Sequence, residues 1–225
     1  MGLILHIETS SEICSVALSE GNKILASEIG IKANTHAESL FPFIQKVLEG
    51  HSMQDLQAIA VSAGPGSYTG LRIGTSAAKG MCYALNIPLI VIPTVQIIAN
   101  DTAFLQLLNP KDTICVCVDA RRMEVYYALL DKHLNIIQDT KAEVITPEFL
   151  HNAIQESTIY CIGNGLEKIK EQISAQNVVF VDHLKPSALK MASISLEMYK
   201  AQNFADTAYF EPYYSKEFYT NAKTY

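Results

Sequence analysis

The chain has 225 residues, of which 49% are hydrophobic and 18% are charged, and its formal net charge is −6. This composition is typical of a folded globular protein and excludes a disordered chain. Arginine occurs only at positions 72, 121 and 122. An acidic surface with so little arginine argues against direct binding of nucleic acid, although a subunit that meets nucleic acid through another chain remains compatible with it.

The cysteines and the first residues indicate a cellular compartment. There are five cysteines and no Cys-x-x-Cys pair, which favours reduced, buried thiols in the cytosol. The first residues lack the basic region of a signal peptide, and no apolar stretch reaches membrane-spanning length. We therefore expect a soluble cytoplasmic protein with no membrane partner.

Hydrophobic periodicity and turn residues predict the same element order twice. In the first half the predicted order is three strands, a helix, a strand, a helix, a strand and a helix. These elements cover 3–7, 13–18, 23–29, 36–48, 58–61, about 69–85, 89–92 and 95–108. After a break at 109–112 the order recurs over 113–118, 124–130, 135–143, a helix beginning near Pro147, and then 158–162, 166–173, 178–181 and 187–202.

Two halves with one β-β-β-α-β-α-β-α order predict a duplicated α/β fold with two lobes and a cleft between them. We place the N-terminal lobe at 1–108 and the C-terminal lobe at 109–225. The last helix and the tail are expected to be able to pack back on the first lobe.

Residues 62–74, SAGPGSYTGLRIG, form a glycine-rich turn that leads from a strand into the second helix. Their spacing fits neither the P-loop nor the dinucleotide-binding pattern. Gly70, Gly74 and Ala78 recur every four residues, so one helix face is nearly flat. The sequence leaves two interpretations open: a helix covered within its own lobe, or a face kept for a partner.

The two-lobed pattern resembles the actin, sugar-kinase and Hsp70-like (ASKHA) ATPases. Three segments narrow the resemblance: HIETSS at 6–11, the stretch at 62–74, and DARRMEVY at 119–126. Together they resemble the TsaB family, also called YeaZ. That family is the non-catalytic partner of the tRNA threonylcarbamoyltransferase TsaD, which modifies the adenosine next to the anticodon.

The resemblance implies a set of partners and no catalytic residue in this chain. The expected partners are a TsaD-like catalytic subunit, a TsaE-like ATPase reached through the complex, and tRNA only indirectly. ATP and Mg²⁺ would be bound by partner subunits rather than here. When the chain is alone, exposed apolar surface should drive homodimerisation.

In ATPases of this class the first strand of each lobe delivers a loop into the cleft. The corresponding residues here are Glu8, Thr9, Ser10 and Ser11 in the first lobe, and Asp119, Arg121 and Arg122 in the second. Glu8 and Asp119 could face each other and hold Mg²⁺ with a nucleotide. The interpretation that we favour is a vestigial nucleotide cleft, in which Arg121 or Arg122 neutralises the carboxylates and locks the lobes together.

Metal chemistry has little support in the sequence. None of the six histidines lies within five residues of another. Where the catalytic relatives carry His-x-x-x-His, this chain has TVQIIA at 94–99. We therefore expect no metal site, and a metallopeptidase is the least favoured function.

The first two helices are predicted to expose an apolar patch that binds the TsaD-like partner. The proposed interface residues are His36, Leu40, Phe43, Val47, Leu71, Arg72, Thr75, Ala78 and Cys82. The alternative is that the helix at 95–108 covers this patch internally. The favoured function is a non-catalytic activating subunit, and the alternative function is an actin-like-fold ATPase or phosphotransferase that acts alone.

Overall fold

The computed structural model describes residues 2–33, 35–150, 153 and 157–213. The strands of the first lobe are β1 (Leu3–Glu8), β2 (Ser15–Glu20), β3 (Lys23–Ile29), β4 (Leu56–Ser62) and β5 (Leu89–Ile92). Its helices are α1 (His36–Val47), α2 (Tyr68–Leu85), α3 (Thr94–Ala99) and α4 (Thr102–Leu107). The second half contains β6 (Thr113–Asp119), β7 (Glu124–Leu130), β8 (Ile136–Val144), β9 (Ile159–Ile162), β10 (Val178–Val181), α5 (Leu166–Lys170) and α6 (Ala192–Lys200).

Each half forms one five-stranded mixed sheet with the same strand order. The orders are β3-β2-β1-β4-β5 and β8-β7-β6-β9-β10. In both sheets the first three strands are antiparallel, and the later two lie parallel to the central strand. The predicted α/β class is confirmed, and the described strands of the two halves follow the same order.

The central strands are apolar on both faces because both faces of each sheet are covered. β1 is buried along its whole length, and α1 and α2 pack on one face of its sheet. The opposite face packs against Ala188 and Met191, which belong to a 3-10 turn before α6. This double coverage explains why β1 and β4 contain long apolar runs instead of an alternating pattern.

The helix predicted at 95–108 is wrong in detail, because the structure has two short helices there. Asp101 begins the second of them: its side chain accepts a hydrogen bond from the Phe104 amide at 3.1 Å. Asn100 ends the first helix and donates to the carbonyl of Lys190 and the hydroxyl of Ser193. The break therefore combines a local cap with contacts to the end of the chain.

Two other predicted helices differ from the structure or lie outside the described residues. The helix expected over 187–202 begins as a 3-10 turn at Ala188–Met191 and becomes α-helical only from Ala192. The helix expected near Pro147 lies largely outside the described residues. None of the helices in the described part of the chain has the length and hydropathy needed to cross a bilayer.

After α6 the chain runs back along the first lobe. The Ala205 amide donates to the Leu89 carbonyl at 2.9 Å, at the edge of β5. The Lys79 ammonium donates to the carbonyl of Phe210 at 2.9 Å, and the Tyr213 amide donates to the carbonyl of Ala63 at 2.8 Å. These contacts hold 205–213 beside α2, whereas the lobe boundary near residue 108 stays a prediction.

Candidate functional site

The loop after β1 lies at the cleft, but the carboxyl group of Glu8, the last residue of β1, does not line the cavity there. Glu8 is fully buried, and Ser10 donates to its Oε1 from both the backbone amide, at 2.7 Å, and the hydroxyl. Burial raises the pKa of Glu8, and the hydrogen bonds from Ser10 only partly offset this. A fully buried carboxyl that does not line the cavity is poorly placed to hold Mg²⁺ beside a nucleotide there.

The other residues of this loop divide between the interior and the cleft. Thr9 is buried beside α2, whereas Ser10 and Ser11 line a cavity between the lobes. The Ser11 hydroxyl is already engaged within the loop, because it donates to the carbonyl of Ile13 at 3.2 Å. Two of the four residues predicted for the first-lobe side of the cleft therefore line the cavity.

The prediction that Arg121 or Arg122 neutralises the cleft carboxylates and locks the lobes together is wrong. Asp119 forms an ion pair with the Lys168 ammonium of α5 at 2.8 Å, within its own lobe. Arg121 and Arg122 are exposed, with left-handed φ angles of 66° and 49°, and neither lines the cavity. The physical reason is the turn between β6 and β7, which directs both arginines toward solvent while a lysine neutralises Asp119.

The flat face of α2 is internal. The Ser67 hydroxyl caps this helix by accepting a hydrogen bond from the Gly70 amide at 3.2 Å. A Cβ atom at Gly70 would lie 2.2 Å from the carbonyl oxygen of Thr9, and one at Gly74 would lie 2.2 Å from the Thr9 hydroxyl oxygen. The glycines therefore let α2 approach the end of β1. Of the two interpretations left open for this face, the one in which it is covered within its own lobe is correct.

Most of the predicted interface residues are buried in the first lobe itself. Leu40, Val47, Ala78 and Cys82 belong to the core cluster beneath α1 and α2. His36, Leu71 and Thr75 are also buried. Phe43 is partly buried, and Arg72 is exposed. The expectation that these side chains form an open patch is wrong, because the lobe's own sheet covers them rather than the helix at 95–108.

The same two helices expose a different set of side chains. On α2 the exposed residues include Thr69, Arg72, Ser76, Gly80 and Tyr83. Spacings of three and four residues place them on one side of the helix. Tyr83 is 87% exposed, and on α1 Phe41 is 54% exposed. We call Phe41 together with these α2 residues the outer helix face; of this set, only Arg72 is among the interface residues predicted from the sequence.

Comparison with known proteins identifies the family. The tRNA threonylcarbamoyladenosine biosynthesis protein TsaB of Escherichia coli (strain K12) is 30% identical to this chain over 220 residues, which cover 94% of this chain and 93% of that protein. The chain belongs to the TsaB family. A family model described as "TsaD: tRNA N6-adenosine threonylcarbamoyltransferase" also matches residues 22–212.

Solved structures support the fold of this TsaB-family chain. YeaZ from Pseudomonas aeruginosa superposes with a TM-score of 0.78 at 24% identity, over 95% of this chain and all of that one. A ROK family protein from Streptococcus pneumoniae superposes with a TM-score of 0.50 at 8% identity, over 90% of this chain and 100% of its own. At these identities the likeness concerns the fold alone, and it confirms the predicted actin-like, sugar-kinase-like architecture.

The described part of this TsaB-family chain offers few groups for covalent or metal chemistry. No cluster of three or more His, Cys, Asp or Glu side chains among these residues could hold a metal ion. All five cysteines are buried and free. Burial raises the pKa of the Cys82 thiol to about 12, and Cys14 behaves alike. These thiols are therefore poor nucleophiles at neutral pH.

Proposed function

We propose that this chain is a non-catalytic, activating subunit of the complex that transfers threonylcarbamoyl to tRNA adenosine next to the anticodon. The observation that carries the proposal is the similarity to TsaB of Escherichia coli, which is named as a biosynthesis protein of this modification and aligns over 93% of its length. The proposal places the chain in the cytoplasm, beside a TsaD-like catalytic subunit.

The geometry of the cleft supports the absence of catalysis by this chain. In an actin-like ATPase the strand-end carboxylates would have to hold Mg²⁺ beside the nucleotide phosphates. Here Glu8 is fully buried with a raised pKa, and Asp119 is ion-paired with Lys168. Neither carboxylate lines the cavity between the lobes. ATP and Mg²⁺ are accordingly assigned to the partner subunits.

The outer helix face is the surface that we propose for docking on the TsaD-like subunit. Gly80 lies exposed in the interior of α2, where a glycine costs about 1 kcal/mol relative to alanine. A Cβ atom there would meet nothing within 4 Å, so the fold of this chain does not require the glycine. A glycine beside an exposed tyrosine instead suits the close approach of a partner helix.

The proposal fixes the remaining partners as well. A TsaE-like ATPase and tRNA would be reached through the catalytic subunit, because this acidic chain has only three arginines for nucleic-acid contacts. When no catalytic subunit is present, the same outer helix face would pair with a second copy of this chain. The activating role would then be a shift of the partner toward its active arrangement, and such couplings are typically worth about 1–3 kcal/mol.

The test is binding to, and activation of, a TsaD-like transferase by surface variants of this chain. Tyr83→Glu should weaken binding at least about tenfold, since it places a charge within the interface, while the melting temperature is unchanged. Leu107→Glu is the control, because Leu107 is 69% exposed and lies on α4 rather than on α1 or α2. Charged variants of Leu40, Leu71 or Ala78 would be uninformative, because these buried positions would unfold the lobe.

Two results would refute the proposal. If both Tyr83→Glu and Gly80→Leu bind and activate the transferase normally, the docking surface lies elsewhere. If the purified chain hydrolyses ATP at an enzyme-like rate without a partner, the alternative of an independent ATPase replaces it.

A further inference from the structure

A cavity of about 650 Å³ lies between the lobes. Its walls come from the loop after β1, the end of β3, Pro65, α3 and the segment 183–187. Both passages of the chain between the lobes contribute to it, through Asp101 and through the residues around Pro186. This volume falls within the range of small-molecule sites, and neither partner docking nor the proposed function uses it.

Much of the cavity wall is apolar. Side chains from both halves of the chain supply this surface, so a ligand would be enclosed by both lobes. They are Ile13, Ile29, Pro65, Ile98, Val118, Leu184 and Pro186. Such a wall suits a ring or another apolar body and offers little to a bare inorganic ion.

Polar residues also line the cavity, and two of them, Thr94 and Lys190, can donate hydrogen bonds to a ligand. Thr94 is 1% exposed, and its hydroxyl has no hydrogen-bond partner within the described ranges. The Lys190 ammonium lies 3.2 Å from Asp101 Oδ2 and donates to the Ile98 carbonyl at 3.5 Å. Thr94 and Lys190 both line the cavity, together with Ile98 and Asp101.

The cavity offers unused hydrogen-bond donors to a ligand but no net positive charge. An ammonium has three N–H donors, and the two contacts above use two of them. The lining carries two carboxylates, Asp101 and Glu12, and two ammonium groups, Lys185 and Lys190, so its formal charge is zero with His183 neutral. A ligand with one anionic group would supply an acceptor to these donors and leave one charge unbalanced, whereas a polyphosphate would leave several charges unbalanced.

We propose that this cavity binds a small organic anion, in which an apolar ring body carries a single terminal anionic group. The ring would lie against Ile98, Val118 and Leu184, and the anionic group would accept hydrogen bonds from the Thr94 hydroxyl and the Lys190 ammonium. Because residues of both lobes would touch the ligand, binding would stabilise one arrangement of the lobes.

The first test uses two fluorescent probes with the same ring body. One is the anion 1-anilinonaphthalene-8-sulfonate, and the other is neutral N-phenyl-1-naphthylamine. Lys190→Met should weaken binding of the sulfonate about tenfold, as expected for the loss of one charge-assisted hydrogen bond, and leave the neutral probe unchanged. Lys200→Met removes the same charge from an exposed ion pair away from the cavity and should affect neither probe. Equal effects on both probes, or no effect on the sulfonate, would overturn the proposal.

The second test locates the probe and limits the ligand class. Pro186→Trp should fill the cavity and abolish binding of both probes, whereas Leu189→Trp, at a neighbouring exposed residue that does not line the cavity, should not. Thr94→Val should weaken the sulfonate severalfold while the fold is retained. Unchanged binding by Pro186→Trp would show that the probes sit elsewhere. Displacement of the sulfonate by MgATP at lower concentration than by AMP would show a polyphosphate site and overturn the assignment.

Discussion

Replacing Gly70 and Gly80 by alanine separates an internal glycine from an exposed one on the same helix. Both changes should gain about 1 kcal/mol of helix propensity. At Gly80 the new Cβ meets nothing within 4 Å, so the gain is retained. At Gly70 the Cβ would lie 2.2 Å from the Thr9 carbonyl oxygen, so the helix or the strand end must move by about 1 Å.

The magnitudes follow from these contacts. Overpacking against a backbone atom costs about 2–3 kcal/mol, so Gly70→Ala should lose a net 1–2 kcal/mol of unfolding free energy, by rough estimate. The two variants should therefore differ by about 2–3 kcal/mol. For a chain of this size, that difference corresponds to about 4–12 °C in melting temperature.

The assay is urea unfolding of both variants and the parent chain, followed by circular dichroism. Gly74→Ala is a useful intermediate, because its Cβ would meet the movable Thr9 side chain instead of the backbone. Equal stabilities of Gly70→Ala and Gly80→Ala would refute the close approach of α2 to β1. A destabilised Gly80→Ala would show that this glycine has an internal role.

Three further variants test local electrostatics and strain by unfolding at different pH values. Burial raises the pKa of Glu8 above its unfolded value of 4.5. The folded parent chain therefore loses unfolding free energy as pH rises from 4.5 through the folded pKa of Glu8. Glu8→Gln cannot titrate, so its stability relative to the parent chain should increase over this pH range. Burial lowers the pKa of His6 from 6.5 to about 3, so the parent should lose up to about 5 kcal/mol as pH falls from 6.5 to 3, and His6→Gln should lose less. Arg122→Gly should gain about 0.5–1 kcal/mol by relieving a φ of 49°.

For each of these three variants, one result would contradict the prediction. Parallel pH profiles for the parent and Glu8→Gln would mean that Glu8 does not change its protonation on folding. For His6, the contrary result is an unchanged acid limb in His6→Gln. Arg122→Ala is the control for backbone strain: it keeps a Cβ atom, so a gain equal to that of the glycine variant would attribute the effect to lost charge.

Much of the fold could be predicted because the strands carry local signals. The bounds predicted for the strands at 23–29, 89–92, 124–130 and 178–181 agree with the structure. The broken helix at 95–108 was missed because periodicity continues across Asn100, whereas the break depends partly on contacts with Lys190 and Ser193, far along the chain. Asp101 could have predicted the start of the second helix, because aspartate is a favoured N-cap residue.

The outer helix face could not be located from periodicity alone. α1 and α2 are apolar or small on more than one side, so the sequence does not say which side meets the sheet. The row Gly70, Gly74 and Ala78 looked equally suitable for a partner and for the lobe's interior. Gly80 was the overlooked signal: at 100° per residue it lies about 80–120° away from Gly70 and Gly74, so one close-packed side cannot account for all three glycines.

The pairing of the cleft carboxylates also lay beyond the sequence. Arg121 and Arg122 follow Asp119 directly, which made them the obvious cations. Their left-handed backbone turns them outward, and Lys168 reaches Asp119 from a helix more than forty residues away. Neighbours in sequence are poor guides to ion pairs wherever a tight turn intervenes, because the direction of each side chain depends on backbone angles that the residue types do not favour.

The corrected cleft separates binding from catalysis. Arginine side chains between the lobes, as predicted, would have prevented both ligand binding and catalysis, because they would have filled that space. In the structure a cavity remains between the lobes, while Glu8 is buried and Asp119 is ion-paired with Lys168. Binding of the proposed organic anion would need only ring contacts and one ammonium, whereas phosphoryl transfer also needs a metal-bound polyphosphate. Ligand binding by the isolated chain would therefore not count as evidence for the independent ATPase; only turnover would.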